Sequence, residues 1–257
     1  FRKNIMILII FMINLFHTDT SSNQNKTIKI CYCLTDHNKQ FPLKNEPFTE
    51  KHINSGYCSH DNDTNMCDIK IWRKEEAMKV TIHELIHALH PIVLNDTDEI
   101  ISFYQQRYNI SSNKIKINES YTEVWANILY CYILSLQTKH PLNSFKRSLM
   151  EEKKFCIHQS HKIKQHSNLQ KEIIDINQYT NVLAYHIIRC EIFQNLAQFL
   201  KYCRENNINY IQIIEKEKWY SFFQQLKQPQ TKTYNYPENT LRMTISGSTH
   251  EQRHHPY

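Results

Sequence analysis

Glycine is almost missing from this chain: Gly56 and Gly247 are the only two among 257 residues. Phosphate loops and dinucleotide-binding turns need several glycines at fixed spacing, because backbone N–H groups reach a phosphate closely only where no Cβ intervenes. Nucleotide chemistry of those kinds is excluded. Long apolar runs are missing as well. The longest, Ile5 to Phe16, has twelve residues, short of the roughly 20 that a membrane-spanning helix requires. No stable membrane span is expected. The run follows Arg2 and Lys3 and precedes a polar stretch from His17 to Thr27, a setting shared by the core of a secretory signal and by a buried strand. No Ala-x-Ala-like cleavage site follows it. The compartment stays open between a secretory or endomembrane route and the cytoplasm.

Concentrated charge is also lacking. The formal charge of +6 is spread beside acidic residues, as in Arg73-Lys74-Glu75-Glu76, without the long basic block that marks a nucleic-acid binder. No nucleic-acid partner is expected. The densest basic stretch, Lys153 to His166, reads as the solvated face of a surface helix. Eight cysteines are present but no CxxC pair. Cys31-Tyr32-Cys33 has no matching pair downstream, and Cys58 and Cys67 are too far apart for a zinc knuckle. Cys31, Cys33, Cys58 and Cys67 could pair in an oxidising space, whereas Cys131, Cys156, Cys190 and Cys203 fall on expected helices as isolated thiols.

What the chain does have is His83-Glu84-Leu85-Ile86-His87. At 3.6 residues per turn the two histidines stand one above the other on a helix face and can aim ring nitrogens at one ion. Glu84 sits beside that face, where a carboxylate can take a proton from a metal-activated water. From Glu75 onward the apolar residues Ala77, Met78, Val80, Ile82, Leu85, Ile86, Ala88 and Leu89 recur without Gly or Pro until Pro91, which predicts a helix. Two imidazoles and a carboxylate among aliphatic side chains are costly to bury without partners. A third histidine on the metzincin pattern is absent: the corresponding positions are His90 and Val93, and His90 lies about 10 Å along the helix axis from His83. His90 reads as a helix-end histidine.

A zinc ion held by two histidines needs a third protein ligand and an open position. Glu119 and Glu123 in Asn118-Glu119-Ser120-Tyr121-Thr122-Glu123 are spaced i,i+4, so both carboxylates face one way on a helix continuing through Val124, Trp125, Ile128 and Leu129. One can bind the metal and the other can accept the second ring N–H of a ligand histidine. Spacing alone does not say which.

HELIH followed by NESYTE resembles the gluzincin metallopeptidases, thermolysin-like enzymes among them, in which HExxH is followed on a second helix by Asn-Glu and an acidic residue four positions on. The resemblance covers residues 70 to 130. It implies a zincin-like fold, one Zn2+ ion held by His83, His87 and Glu119, Glu84 as general base, Glu123 as partner of a ligand histidine, and a peptide or protein substrate. In thermolysin-like enzymes an edge strand just before the active-site helix holds the peptide, and the alternating Asp68-Ile69-Lys70-Ile71-Trp72-Arg73 is similarly placed, an ordinary sheet strand being the other reading of the same alternation. A Tyr or His is expected to steady the oxyanion, and the candidates are Tyr185 and His186, on a long helix that opens near Tyr179 with Thr180 as cap.

The expected fold is therefore α+β and mainly α: residues 1–27 an apolar segment, 28–227 a zincin-like domain, and 228–257 a loosely packed polar tail. Within the domain a small β region runs to about residue 72 and a helical body follows, with helices at Ile117 to Gln137, Ser144 to His166, Asn181 to Asn206 and Tyr210 to Leu226. The cleft is expected between the HExxH helix and the Glu119 helix. Two other functions share the metal motif: a zinc-dependent hydrolase of small amides, and a catalytically silent metal-bound scaffold. Oligomeric state has no signal in the sequence.

Overall fold

Ile69 and Ile71 alternating with Asp68 and Lys70 give a strand with one buried face, and the computed structural model places it at the centre of a three-stranded sheet. Residues 2–16, 27–44, 46–61, 63–89, 94–169, 180–229, 232–236 and 239–246 are described; His90 and the last eleven residues of the tail lie outside them. Strand β3 (Met66–Arg73) pairs in parallel with β1 (Thr27–Thr35) and antiparallel with β2 (Gly56–Asp61), giving the order β1-β3-β2. Of the two readings of 68–73, an edge strand beside the cleft and an ordinary sheet strand, the second holds: β1 and β2 take the edges. Cys67, Ile69 and Ile71 are fully buried, and the face they form lies on the HExxH helix. A short helix, α2 (Glu50–Ile53), precedes β2.

The chain is mainly helical beyond this sheet. A 3-10 turn at Lys74–Glu76 leads into α3 (Ala77–Leu89), which carries HELIH. Most of α3 is buried on all sides, the condition of a central helix. It packs on β2 and β3, on α5 (Ile117–Ser135), and on α1 (Arg2–Phe16). In α1, Ile5, Leu8, Met12 and Phe16 recur at helical spacing and are buried. The N-terminal run is thus a helix rather than a buried strand, because its apolar residues fill one face against α3 while Met6, Ile7, Ile10 and Ile13 stay exposed. Among the described residues no helix is long and apolar enough to cross a membrane.

Helix α4 (Asp98–Tyr108) was not anticipated, although Thr97 caps it through Ile100 N and Asp98 and Glu99 sit favourably in its first turn. Helix α6 (Pro141–Leu169) contains the basic stretch Lys153 to His166, and here the surface reading is overturned. Phe155, Cys156, Ile157, His158, Gln159, Ser160, Lys162, Ile163 and His166 are buried. Lys162 and Gln159 are tolerated because another chain segment brings them acceptors: Lys162 Nζ and Gln159 Nε2 donate to the Thr240 carbonyl, and Gln159 also to that of Arg242.

Those carbonyls belong to the supposedly loose tail. Leu241, Met243, Thr244 and Ser246 are buried. The Met243 and Thr244 amides donate to Glu76, and those of Ile245 and Ser246 to Glu152. A hydrophobic count over 228–257 misses this, since the segment is held by carboxylates accepting from its backbone. The expected helix Asn181 to Asn206 is broken. A π-helical turn at Leu183–Ile188 has Val182, not Thr180, at its N-cap position. It runs into α7 (Arg189–Gln194), and Asn195 separates α7 from α8 (Leu196–Asn206). The expected start at Tyr210 is likewise early: β4 (Asn207–Ile208) and β5 (Gln212–Ile213) form a tiny hairpin, and α9 (Lys216–Gln225) begins after it.

Candidate metal centre

His83 and His87 project from α3 toward the first turn of α5, and their Nε2 atoms stand 3.1 Å apart. Glu119 Oε2 lies 3.3 Å from His83 Nε2 and 3.4 Å from His87 Nε2. Three donors on a nearly equilateral triangle invite a single ion. Tetrahedral bonds of about 2.0–2.2 Å require donors about 3.3–3.6 Å apart, so this set of two imidazoles and one carboxylate fits zinc with little adjustment. Glu123 approaches from the other side: its Oε2 lies 2.8 Å from His83 Nδ1. The two carboxylates left open by spacing are thereby told apart, one on the face where both Nε2 atoms converge, the other behind His83.

Burial alone would strip His83 of charge, but its hydrogen bonds to Glu119 and Glu123, which accept, outweigh it and raise its pKa to about 10. Glu119 feels the converse. Burial pushes its pKa up, yet His83 and His87 hold it well below the usual carboxylate range. Glu123 is also held low, against burial, by Lys79, His83 and Arg189. Lys79 Nζ bonds to Glu123 Oε1, and Arg189 Nη1 lies 3.5 Å from the same oxygen. Neither partner had a signature in the sequence. A lysine in an apolar helix and an arginine in a distant one look like surface charges until the fold buries both.

Glu84 contrasts with these. It is buried, and no hydrogen bond or ion pair holds its carboxylate among the described residues. Burial raises its pKa, with His83 and His87 pulling the other way. The cleft that it faces is lined by Lys79, Val80 and His83 of α3, Glu123 of α5, Tyr185, Lys39, Met243 and the segment Ile53 to Gly56. Residues of both α3 and α5 thus line it, with the start of β2 forming the other side. Gly56 has a use here that the sequence did not disclose. A Cβ at this position would lie 2.7 Å from Val80 Cγ1, 3.0 Å from the Lys70 carbonyl oxygen and 3.2 Å from Glu84 Oε1, so only glycine lets β2 run this close to Glu84.

Tyr185 and His186, adjacent in sequence, part company. The Tyr185 hydroxyl donates to Glu119 Oε2 at 3.1 Å, and its ring centroid is 6.1 Å from that of His83. Burial and the Glu119 charge keep the phenol well above its ordinary pKa, so it stays a donor. His186 is fully buried and is not among the residues lining the cleft. Its ring nitrogens have no hydrogen-bond partner among the described residues, and burial together with Arg189 and Lys39 keeps the imidazole neutral. The π-helical turn that carries both residues is a feature often found where a helix has been re-aimed at a site.

A further positioning residue also went unnoticed in the sequence. Helix α5 begins after Lys116 in a left-handed conformation with no cap from its own side chain. Asp96 supplies the cap from a distance: its Oδ2 accepts from the Ile115 and Lys116 amides, each at 2.8 Å, and its Oδ1 from Ile117 at 3.2 Å. These bonds fix the turn from which Glu119 projects. No protein-family model matches the chain, and neither a curated protein nor a solved structure does.

Proposed function

We propose that this chain is a zinc-dependent metallopeptidase of gluzincin type with a zincin-like fold, holding one Zn2+ through His83, His87 and Glu119. The observation that carries the reading is the donor triangle of 3.1–3.4 Å with Glu123 paired to the far nitrogen of His83. Bound there, zinc supplies Lewis acidity toward a carbonyl and lowers the pKa of a water toward neutrality.

The remaining work falls to the chain's own groups. By accepting at Nδ1, Glu123 fixes the His83 tautomer and turns the Nε2 lone pair toward the site. Glu84 takes the proton of the attacking water and delivers it to the leaving nitrogen. Its burial without a partner raises the carboxylate's pKa, the direction that makes it a better proton acceptor. The Tyr185 hydroxyl, positioned by its hydrogen bond to Glu119, donates to the oxyanion as it forms. The substrate is an extended peptide lying along the outer edge of β2, whose backbone borders the cleft at Gly56.

The test is elemental analysis of the purified chain beside His83→Ala and Glu119→Ala, with turnover on a peptide library for the parent and Glu84→Gln. About one zinc per chain is expected, lost in both ligand variants. Glu84→Gln keeps the ion and loses about 10²–10⁴-fold in turnover. Well-folded parent protein that takes up no zinc refutes the site. Turnover of small amides but not of peptides would make this a different amide hydrolase, and an inert parent indistinguishable from Glu84→Gln would leave only a scaffold.

A further inference from the structure

Cys58, His60 and Cys67 form a second donor group remote in character from the first. Cys58 and His60 are two apart on β2 and so share a face of the sheet. Cys67 on β3 stands opposite His60 in the ladder, with Cys58 opposite Ile69. The three side chains thus gather on the face that also carries Ile69. At its outer end the core thins: Cys67 is fully buried, Cys58 half-buried and His60 exposed. The Cys58 and Cys67 sulfurs are 2.8 Å apart, Cys58 Sγ lies 3.7 Å from His60 Nε2, and all three donors fall within 4.8 Å of one another.

We infer that this group is a binding site for a thiophilic cation of the Zn2+ class. Two thiolates and an imidazole are the donors such ions select, against the two imidazoles and carboxylate of the α3–α5 centre. Bonds of about 2.3 Å to sulfur and 2.0–2.1 Å to nitrogen at tetrahedral angles put S and N about 3.6 Å apart, close to the Cys58–His60 spacing. The cysteines are diagonal rather than directly opposed. Their sulfurs, 2.8 Å apart, would separate to about 3.8 Å on a shared ion with bonds of about 2.3 Å, and in an oxidising medium the same pair would close to a disulfide instead, so the reduced chain is the metal-binding form. On binding, each thiol releases its proton to solvent as its sulfur–metal bond forms, and His60 binds as the neutral imidazole. The ion pins the outer end of the β2–β3 hairpin, whose inner end meets Glu84 at Gly56. Spacing in the sequence hid the site, because CxH followed by a Cys on the next strand becomes a cluster only through the register.

The test loads the full-length, reduced chain with Co2+ and reads the near-ultraviolet thiolate-to-cobalt band and the metal stoichiometry. The parent should bind two ions and show the band. Cys58→Ser/Cys67→Ser should lose one ion and the band, and His60→Ala, an exposed change that spares the core, should weaken the band-forming ion at least tenfold. His83→Ala should lose one ion and keep the band, which separates this site from the proposed catalytic one. Cys31→Ser/Cys33→Ser should change nothing. The inference is overturned by an absent band in folded parent, by a band that survives Cys58→Ser/Cys67→Ser, or by a Cys58–Cys67 disulfide in the isolated protein that persists when metal is supplied.

Discussion

Glu119 and Glu123 lie one turn apart on the same helix and contact the same histidine, yet their surroundings are opposite. Glu119 meets two imidazoles and a phenol, with its side chain 18% exposed; Glu123 is 1% exposed and bound to Lys79 and Arg189. A carboxylate already committed to two buried cations cannot turn to a metal without leaving both unpaired. One whose partners are the other metal donors can. The i,i+4 spacing sets what both residues reach, and the charges that the fold brings up behind them make Glu119 the one proposed to bind the metal.

Removing each carboxylate should therefore do different damage. Glu119→Ala is expected to abolish zinc binding and turnover while leaving the chain folded. Glu123→Ala should leave Lys79 and Arg189 buried without their counter-charge and cost about 3–5 kcal/mol, read as an earlier midpoint in urea unfolding. Zinc stoichiometry that survives Glu119→Ala and collapses in a folded Glu123→Ala would reverse the assignment. The next largest effect concerns the open end alone. Tyr185→Phe is expected to keep its zinc and lose about 10²–10³-fold in kcat, and full turnover in that variant would remove the hydroxyl from the mechanism.

How much of this was legible follows from the range of each interaction. HELIH, its helix and the Glu119 helix could be read because they depend on residues a few positions apart; α3 and α5 fall where the apolar spacing put them. The small N-terminal sheet was legible too, but not its order, since alternation in Asp68 to Arg73 is the same for a central strand and an edge. Burial of Lys153 to His166 could not be read, because it depends on Thr240 and Arg242, about 80 positions away, presenting carbonyls to a basic helix. Tyr185 and His186 were equivalent as letters. Only the π-helical turn sends one to Glu119 and the other into the interior.

The smallest effect probes what holds the open end in place. Asp96 accepts from three successive amides at the start of α5, a task that an N-cap side chain ordinarily performs from within the helix. Asp96→Ala should cost about 1 kcal/mol, the usual value of a lost cap, with faster amide exchange at Ile115 to Ile117. Since Glu119 stands in that first turn and Glu123 one turn further in, the freedom gained should fall on Glu119. Zinc affinity should drop severalfold while the Glu123 ion pairs, and with them most of the stability, remain. Equal zinc affinity beside faster amide exchange would mean that His83 and His87 alone hold Glu119 in register, and that the cap serves the helix and not the site.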